Sequence, residues 1–257
     1  MNRDLQTMSG LDVAVDADEL ALAFGPDVVH PEGERRSLGD VRATLEDPEA
    51  SGPEHLYTIY MDVCRAADHG ALVDQSLLYG AVVYNHGLIG RERLRSQGHR
   101  HSCKPGTDLR YSEVYEFWTG HGHVYLQQEC GPVVTRALLV PVGPGDKVIV
   151  PLGWVHLTVA STDEPLAFGA WCAREGKLEY DELRALGGPA HFVLANGDVV
   201  PNPRYTQVAD VEVVAPRDLP LLDVPYEQPI YRAWREEPGR FDFLPQPELV
   251  ACAWEEL

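Results

Sequence analysis

Between Glu54 and Ala173 the apolar residues come in short runs, each closed after a few positions by Gly, Pro, Asn or Asp. The runs are Leu56–Val63, Leu77–Tyr84, Glu113–Trp118, His123–Gln127, Val133–Val140, Lys147–Val150, Val155–Ser161 and Leu166–Ala173. Short strands bounded by turn residues at this spacing are the pattern of an all-β sandwich or barrel. No strand–helix–strand rhythm of about 30 residues runs through the chain, which argues against a parallel doubly wound sheet. Further on, His191–Leu194 and Val199–Val200 flank Asn196-Gly197, a pair whose tolerance of positive φ favours a hairpin.

The flanks read differently. Residues 1–35 contain an acidic stretch from Asp12 to Glu19, and Ser37 opens a segment to Glu46 that reads as one short helix with Ser37 as its N-cap. From residue 206 onward prolines are frequent, yet Tyr226, Tyr231, Trp234, Phe241 and Phe243 recur among them. A disordered tail rarely carries so many large apolar groups. Residues 206–257 are therefore expected to pack in extended form on the barrel or on a partner subunit, leaving 36–205 as the barrel domain and 1–35 as an acidic N-terminal segment.

Charge and cysteine use exclude several functions. The 257 residues hold 21 Lys and Arg against 40 Asp and Glu, a net charge of −19, which repels polyphosphate backbones and disfavours nucleic acid as a partner. No apolar run approaches the ~20 residues that span a bilayer, and Met1 to Leu5 lacks a basic stretch followed by an apolar core. Neither a membrane location nor secretion is expected. Five scattered cysteines, Cys64, Cys103, Cys130, Cys172 and Cys252, form no C-x-x-C pair and read as mostly buried small residues of a reducing, cytoplasmic protein.

A strand delivers two ligands to one point cheaply, because residues two apart face the same side. Gly98-His99-Arg100-His101 is such a pair. Glu113 opens a later run that ends at Gly120, and Gly145, Pro151, Gly153 and His156 follow in order. These blocks resemble the two cupin motifs, H-x-H-x(n)-E-x6-G and G-x5-P-x-G-x2-H-x3-N. Two departures stand out: Ala160 holds the usual Asn place, and eleven residues separate His101 from Glu113. The second implies a long loop, 102–112, turning at Lys104 to Asp108 over the metal mouth. Glu116 has the wrong distance to Gly120 for a ligand, Cys103 alternates off the ligand face, and His121 and His123 fall where the motif turns, at the surface. The resemblance implies a double-stranded β-helix (jelly-roll) barrel. Three imidazoles and one carboxylate leave positions open for substrate, and Mn, Fe, Ni and Zn all accept that set.

The flanking residues narrow the likeness. Gly87-Leu88-Ile89-Gly90-Arg91-Glu92, Gly98 to His101, Glu113-Val114-Tyr115, Pro151 to His156 and Ala195 to Tyr205 resemble the archaeal-type phosphoglucose isomerases of the cupin superfamily, and Ser37 to Asp40 and Leu56 to Tyr60 extend the likeness over residues 36–205. The resemblance implies one divalent transition metal per subunit held by His99, His101, Glu113 and His156. It also implies phosphate contacts from Ser96 and Gly98, a substrate site lined by Tyr57, Tyr115 and Tyr180, and a homodimer. Three positions depart from the family: Val82 replaces a phosphate-contacting threonine, Cys172 a tyrosine, and Leu178 sits near a family histidine.

Together these features predict a metal-dependent isomerase that interconverts an aldose and a ketose sugar phosphate or a related hydroxy-carbonyl compound. Glu113 is the candidate base, by proton transfer or beside a metal-assisted hydride shift. Tyr115, on the same strand face, is either a donor to substrate or an aromatic filler. Arg91, Arg93 and Arg95 alternate, so they form either a phosphate-steering stripe or a solvated face, with Arg95 or Lys104 the contributor to a phosphate site. The same ligand set also serves cupin dioxygenases and non-catalytic ligand-binding cupins.

Overall fold

In the computed structural model, which describes residues 2–254, the expected strands close into two facing sheets. Six antiparallel strands form the larger sheet in the order Lys147–Val150, Glu113–Thr119, Leu166–Ala173, Leu77–Tyr84, His55–Tyr60, Glu34–Ser37. Val155–Ala160, Gly122–Gln127, Ala137–Val142 and Val211–Val213 form the smaller one, the last pair running parallel. Successive strands pass from one sheet to the other, as in a jelly roll. At the first crossing Gly120 sits at φ +75, and a Cβ there would lie 2.2 Å from the Pro165 carbonyl oxygen, so only glycine fits.

Alternation along the large sheet decides what it does. On Leu77–Tyr84, the side chains of Leu78, Val82 and Tyr84 face the barrel interior, while Leu77, Tyr79, Ala81 and Val83 enter an apolar cluster on the outer face. Leu166–Ala173 and Glu113–Thr119 repeat the scheme, with Phe168 and Tyr115 inside and Trp171, Val114 and Trp118 outside. A sheet buried on both faces explains why these runs are nearly continuous in apolar residues.

The two terminal segments cover the outer face. Residues 2–24 contribute a three-stranded antiparallel sheet, Asn2–Asp4, Val13–Asp16 and Ala21–Phe24, whose Val13, Val15 and Leu22 enter the outer cluster together with Leu5 and Leu11. Ser37 is the N-cap of Leu38–Val41, as the sequence suggested, and forms a capping box with Asp40. The C-terminal segment differs from the expected extended form. Ile230–Glu236 is a helix, followed by short 3-10 turns at Pro238–Phe241 and Pro247–Val250. Ile230, Tyr231, Ala233 and Trp234 are its buried residues, a helical spacing that the bracketing Pro229 and Pro238 obscured. This segment lies on its own barrel: Tyr231 stacks on Trp171 at 5.6 Å, and Phe241 lies 5.8 Å from the same indole. Only Cys64 and Cys172 of the five cysteines are buried; Cys103 and Cys130 are half-buried, Cys252 is exposed, and no disulfide joins any two among the described residues. No helix among the described residues is long and apolar enough to cross a membrane.

Glu116 points to this outer face, away from the histidines. Its carboxylate accepts from the Ile230 N–H at 3.1 Å and pairs with Lys147 Nζ at 3.1 Å, while Lys147 donates to the Tyr226 carbonyl at 2.7 Å. Burial pushes the Glu116 carboxyl from 4.5 up to about 7 against the pull of Lys147. A carboxyl raised in the folded state contributes stability that is complete below its unfolded value and is lost as pH rises through about 7. Urea unfolding of wild type and Glu116→Gln across that window is therefore expected to show wild type losing ground to the variant as pH rises; a constant difference would contradict the assignment. Phe241→Ala, at a fully buried position, is expected to cost about 3–5 kcal/mol in the same measurement. A shift under about 1 kcal/mol would show that the C-terminal segment unfolds apart from the barrel.

Candidate metal centre

Three backbone features bring the four candidate ligands together. Gly98 at φ +85 turns the chain so that His99 lies antiparallel to His156, with the His99 N–H donating to the His156 carbonyl at 3.1 Å and the reverse bond at 2.9 Å. His101 follows on Arg100–His101, which pairs with Leu178–Glu179. Glu113 opens its strand between Val150 and Cys172. One donor atom from each of His99, His101, Glu113 and His156 lies within 4.8 Å of the other three. Glu113 Oε2 is 3.1 Å from both His101 Nε2 and His156 Nε2 and 4.0 Å from His99 Nε2.

The electrostatics suit a cation. Burial holds the His99 imidazole well below its ordinary pKa, aided by the neighbouring His156 and His101, so it is neutral with a lone pair to offer. Its Nε2 is buried and has no hydrogen-bond partner among the described residues, an orphaned atom that a bound ion would satisfy. His156 Nδ1 lies 3.2 Å from the Trp154 carbonyl, which assigns the proton to Nδ1 and aims Nε2 at the cluster. Burial alone would raise the Glu113 carboxyl, but its contacts with the His101 and His156 rings outweigh it and hold the group well below the usual carboxylate range. Tyr115 donates to Glu113 Oε2 at 3.0 Å, and burial keeps its phenol protonated.

A pocket opens beside the ligands, lined in part by Tyr57, Ser96, Gly98, Tyr115 and Tyr180. Val82, Cys172 and Leu178, the three departures from the family pattern, line it too. Arg95 does not reach it. Its guanidinium is 1% exposed and bonds Glu92, the Thr44 carbonyl and the Ser96 carbonyl, so its charge serves the fold. The arginines form no stripe: exposed Arg91 pairs with half-buried Glu46, Arg93 is half-buried, and Arg95 is buried. Lys104 pairs with Glu248 at 2.6 Å, outside this pocket. Cys103 faces the Asp108 carbonyl rather than the ligands, His121 is exposed beside Glu164 at 2.6 Å, and His123 is half-buried. Tyr84 and Thr158, which sequence reading passed over, also line the pocket. Alternation from Val82 and from His156 would have placed both on the inner face. Arg174, held by Asp62, carried no such signal.

The two-sheet β-barrel is a cupin fold, and the three histidines and one glutamate at its interior pocket could hold a metal ion. The family profile described as glucose-6-phosphate isomerase (GPI) matches residues 36–210, and the chain belongs to that family. A glucose-6-phosphate isomerase of Pyrococcus abyssi is 32% identical over 131 residues, covering 50% of this chain and 65% of the relative, so the chain spans just under two thirds of that protein. That of Thermococcus litoralis is 28% identical over 178 residues, covering 66% of this chain and 86% of the relative. Among solved structures, hazelnut vicilin overlaps 50% of this chain and 33% of its own at 14% identity and a TM-score of 0.36.

Elemental analysis of the purified chain is expected to find near-stoichiometric transition metal, and a chelator is expected to lower its melting temperature. His156→Ala should lose most of that metal; unchanged content in the variant would refute the ligand assignment.

Proposed function

We propose that this chain is a metal-dependent isomerase that moves hydrogen between the carbonyl carbon of an aldose and its hydroxyl-bearing neighbour, giving the ketose. Glucose 6-phosphate and fructose 6-phosphate, the pair implied by its relatives' name, are the first to test. The observation that carries the reading is the disposition of Glu113. The contacts of its carboxylate with His101, His156 and Tyr115 all fall on Oε2, which leaves Oε1 for a bound substrate in the pocket that Glu113 lines.

The chemistry requires a base next to the carbon acid and a stabiliser for charge on two adjacent oxygens. A divalent ion held by His99, His101, His156 and Glu113 would stabilise that charge; Mn, Fe, Ni and Zn all suit three imidazoles and a carboxylate. In this reading Glu113 Oε1 takes the proton from the hydroxyl-bearing carbon and returns it to the former carbonyl carbon, while the hydroxyl proton passes to the former carbonyl oxygen. Tyr115 positions the carboxylate through Oε2. The depression of Glu113 arises from His101 and His156, whose nitrogens are the ones an ion would engage, so its basicity is set by what the histidines bind. We also read the chain as a homodimer, since Glu34–Ser37 leaves one edge of the large sheet unpaired among the described residues.

In deuterated solvent, metal-loaded protein is expected to interconvert the two sugar phosphates with deuterium appearing on the migrating position. Glu113→Gln should lower the rate by about 10²–10⁴ with metal still bound. A metal-loaded Gln variant that keeps wild-type rate would remove Glu113 as the base. Absence of both isomer and exchange over a panel of sugars and sugar phosphates would end the isomerase reading, and substrate-dependent oxygen consumption would replace it with an oxygenase.

A further inference from the structure

We infer that Arg110 is a positioning residue that couples the candidate metal centre to the pocket wall, because one nitrogen of its guanidinium joins the ligand residue His101 to the segment that carries Leu178 and Tyr180. The inference rests on the ligand assignment and goes beyond the isomerase reading: it names the link through which a bound metal orders the wall that a substrate meets.

The backbone joins these two pieces only weakly. Arg100–His101 and Leu178–Glu179 form a two-stranded sheet of their own, with Arg100 opposite Glu179 and His101 opposite Leu178. The Ser102 N–H extends the pairing by donating to the Lys177 carbonyl at 2.8 Å, and Ser102 Oγ accepts from the Lys177 N–H at 3.1 Å. A two-stranded ladder this short is marginal by itself. Yet its second strand carries Leu178 to the pocket, and Tyr180, one residue past its end, lines the pocket with its ring 5.7 Å from that of His99.

Side chains supply what the ladder lacks. Arg110 Nη1 donates to the His101 carbonyl at 2.6 Å and to Glu179 Oε2 at 2.7 Å, so a single nitrogen spends its two N–H groups on a ligand residue and on the wall. Arg100 adds to the clamp, with Nε 3.5 Å from Glu179 Oε2 and Nη2 paired with Glu182. The fold makes room for Arg110. It lies opposite Cys103 in a hairpin that the eleven residues between His101 and Glu113 permit, closed by the Lys104 N–H donating to the Leu109 carbonyl at 2.8 Å. Its stem passes Gly153, where a Cβ would lie 2.9 Å from Arg110 Cδ. An exposed ion pair contributes little in isolation, but the Arg110 side chain is only 21% exposed and its bond to the His101 carbonyl is charge-assisted. Releasing the wall therefore loosens the backbone of His101. By linkage, a metal that holds His101 in place favours the docked wall by the same factor that the docked wall favours the metal.

The test uses the full chain, stripped of metal and reloaded with Zn²⁺, and needs no substrate. In wild type, amide hydrogen exchange over residues 176–182, followed by mass spectrometry, is expected to slow about tenfold on saturation with Zn²⁺. Arg110→Met keeps the stem beside Gly153 and removes both donors. It is expected to weaken Zn²⁺ binding about tenfold, as loss of an outer-shell partner does, and to leave exchange over 176–182 fast with or without the ion. Arg110→Lys, which restores a charged donor, should recover most of both effects. A merely structural role would lower the urea midpoint of Arg110→Met and keep the response to Zn²⁺, a result that overturns the inference, as does wild-type Zn²⁺ affinity in that variant. Should Arg110→Met fail to fold, Glu179→Ala cuts the clamp at its other end, and a wall that still slows with Zn²⁺ refutes the coupling. Either refutation leaves the isomerase reading standing, whereas a wild-type chain that binds no Zn²⁺ would remove the ligand assignment on which both rest.

Discussion

The structure depends on one sheet being buried on both faces. Strand geometry sends successive side chains to opposite sides, so each central strand carries two independent messages. One set, with Val82, Tyr84, Tyr115 and Phe168, faces the barrel interior. The other, with Tyr79, Val83, Trp118 and Trp171, requires a cover, which the chain supplies from its own N-terminal sheet and C-terminal helix. A barrel without that cover would expose a large apolar face. The buried Glu116–Lys147 pair tethers the cover at Ile230 and Tyr226, and the strand that carries Glu116 begins at Glu113. Core, cover and metal centre therefore share a few strands.

The centre itself is a problem in like charges and desolvation. Three imidazoles and a carboxylate are drawn into a space that burial would otherwise empty of charge. The arrangement persists because the Glu113 carboxylate lies against His101 and His156 and the His99 imidazole is neutral. Around it the arginines are spent in pairs: Arg95 on Glu92, Arg174 on Asp62, Arg110 on Glu179. A strongly acidic chain thus presents a pocket whose walls are mostly apolar, with charge concentrated at the ligands.

Much of this was legible in the chain. Leu77–Tyr84, Lys147–Val150 and Leu166–Ala173 begin and end where their apolar runs do, because Gly, Pro and Asp stop strands locally. The capping box at Ser37 and the hairpin at Asn196-Gly197 are likewise local events. The convergence of His99, His101, Glu113 and His156 followed from motif spacing, since a two-residue period and a turn glycine leave little freedom. Arg95 was misplaced because alternation does not show burial: folding buries it against Glu92 and Thr44. The C-terminal helix was read as extended because the prolines around it are conspicuous and it is only seven residues long.

By itself the sequence determined the barrel strands and the candidate ligand set, since strand period, turn chemistry and donor type act over a few residues. Only the tertiary structure decided which charges are available. Asp62 and Arg174 are 112 positions apart, and nothing local announces that they cancel. Whether a cation is free or spent depends on the partner that folding brings to it.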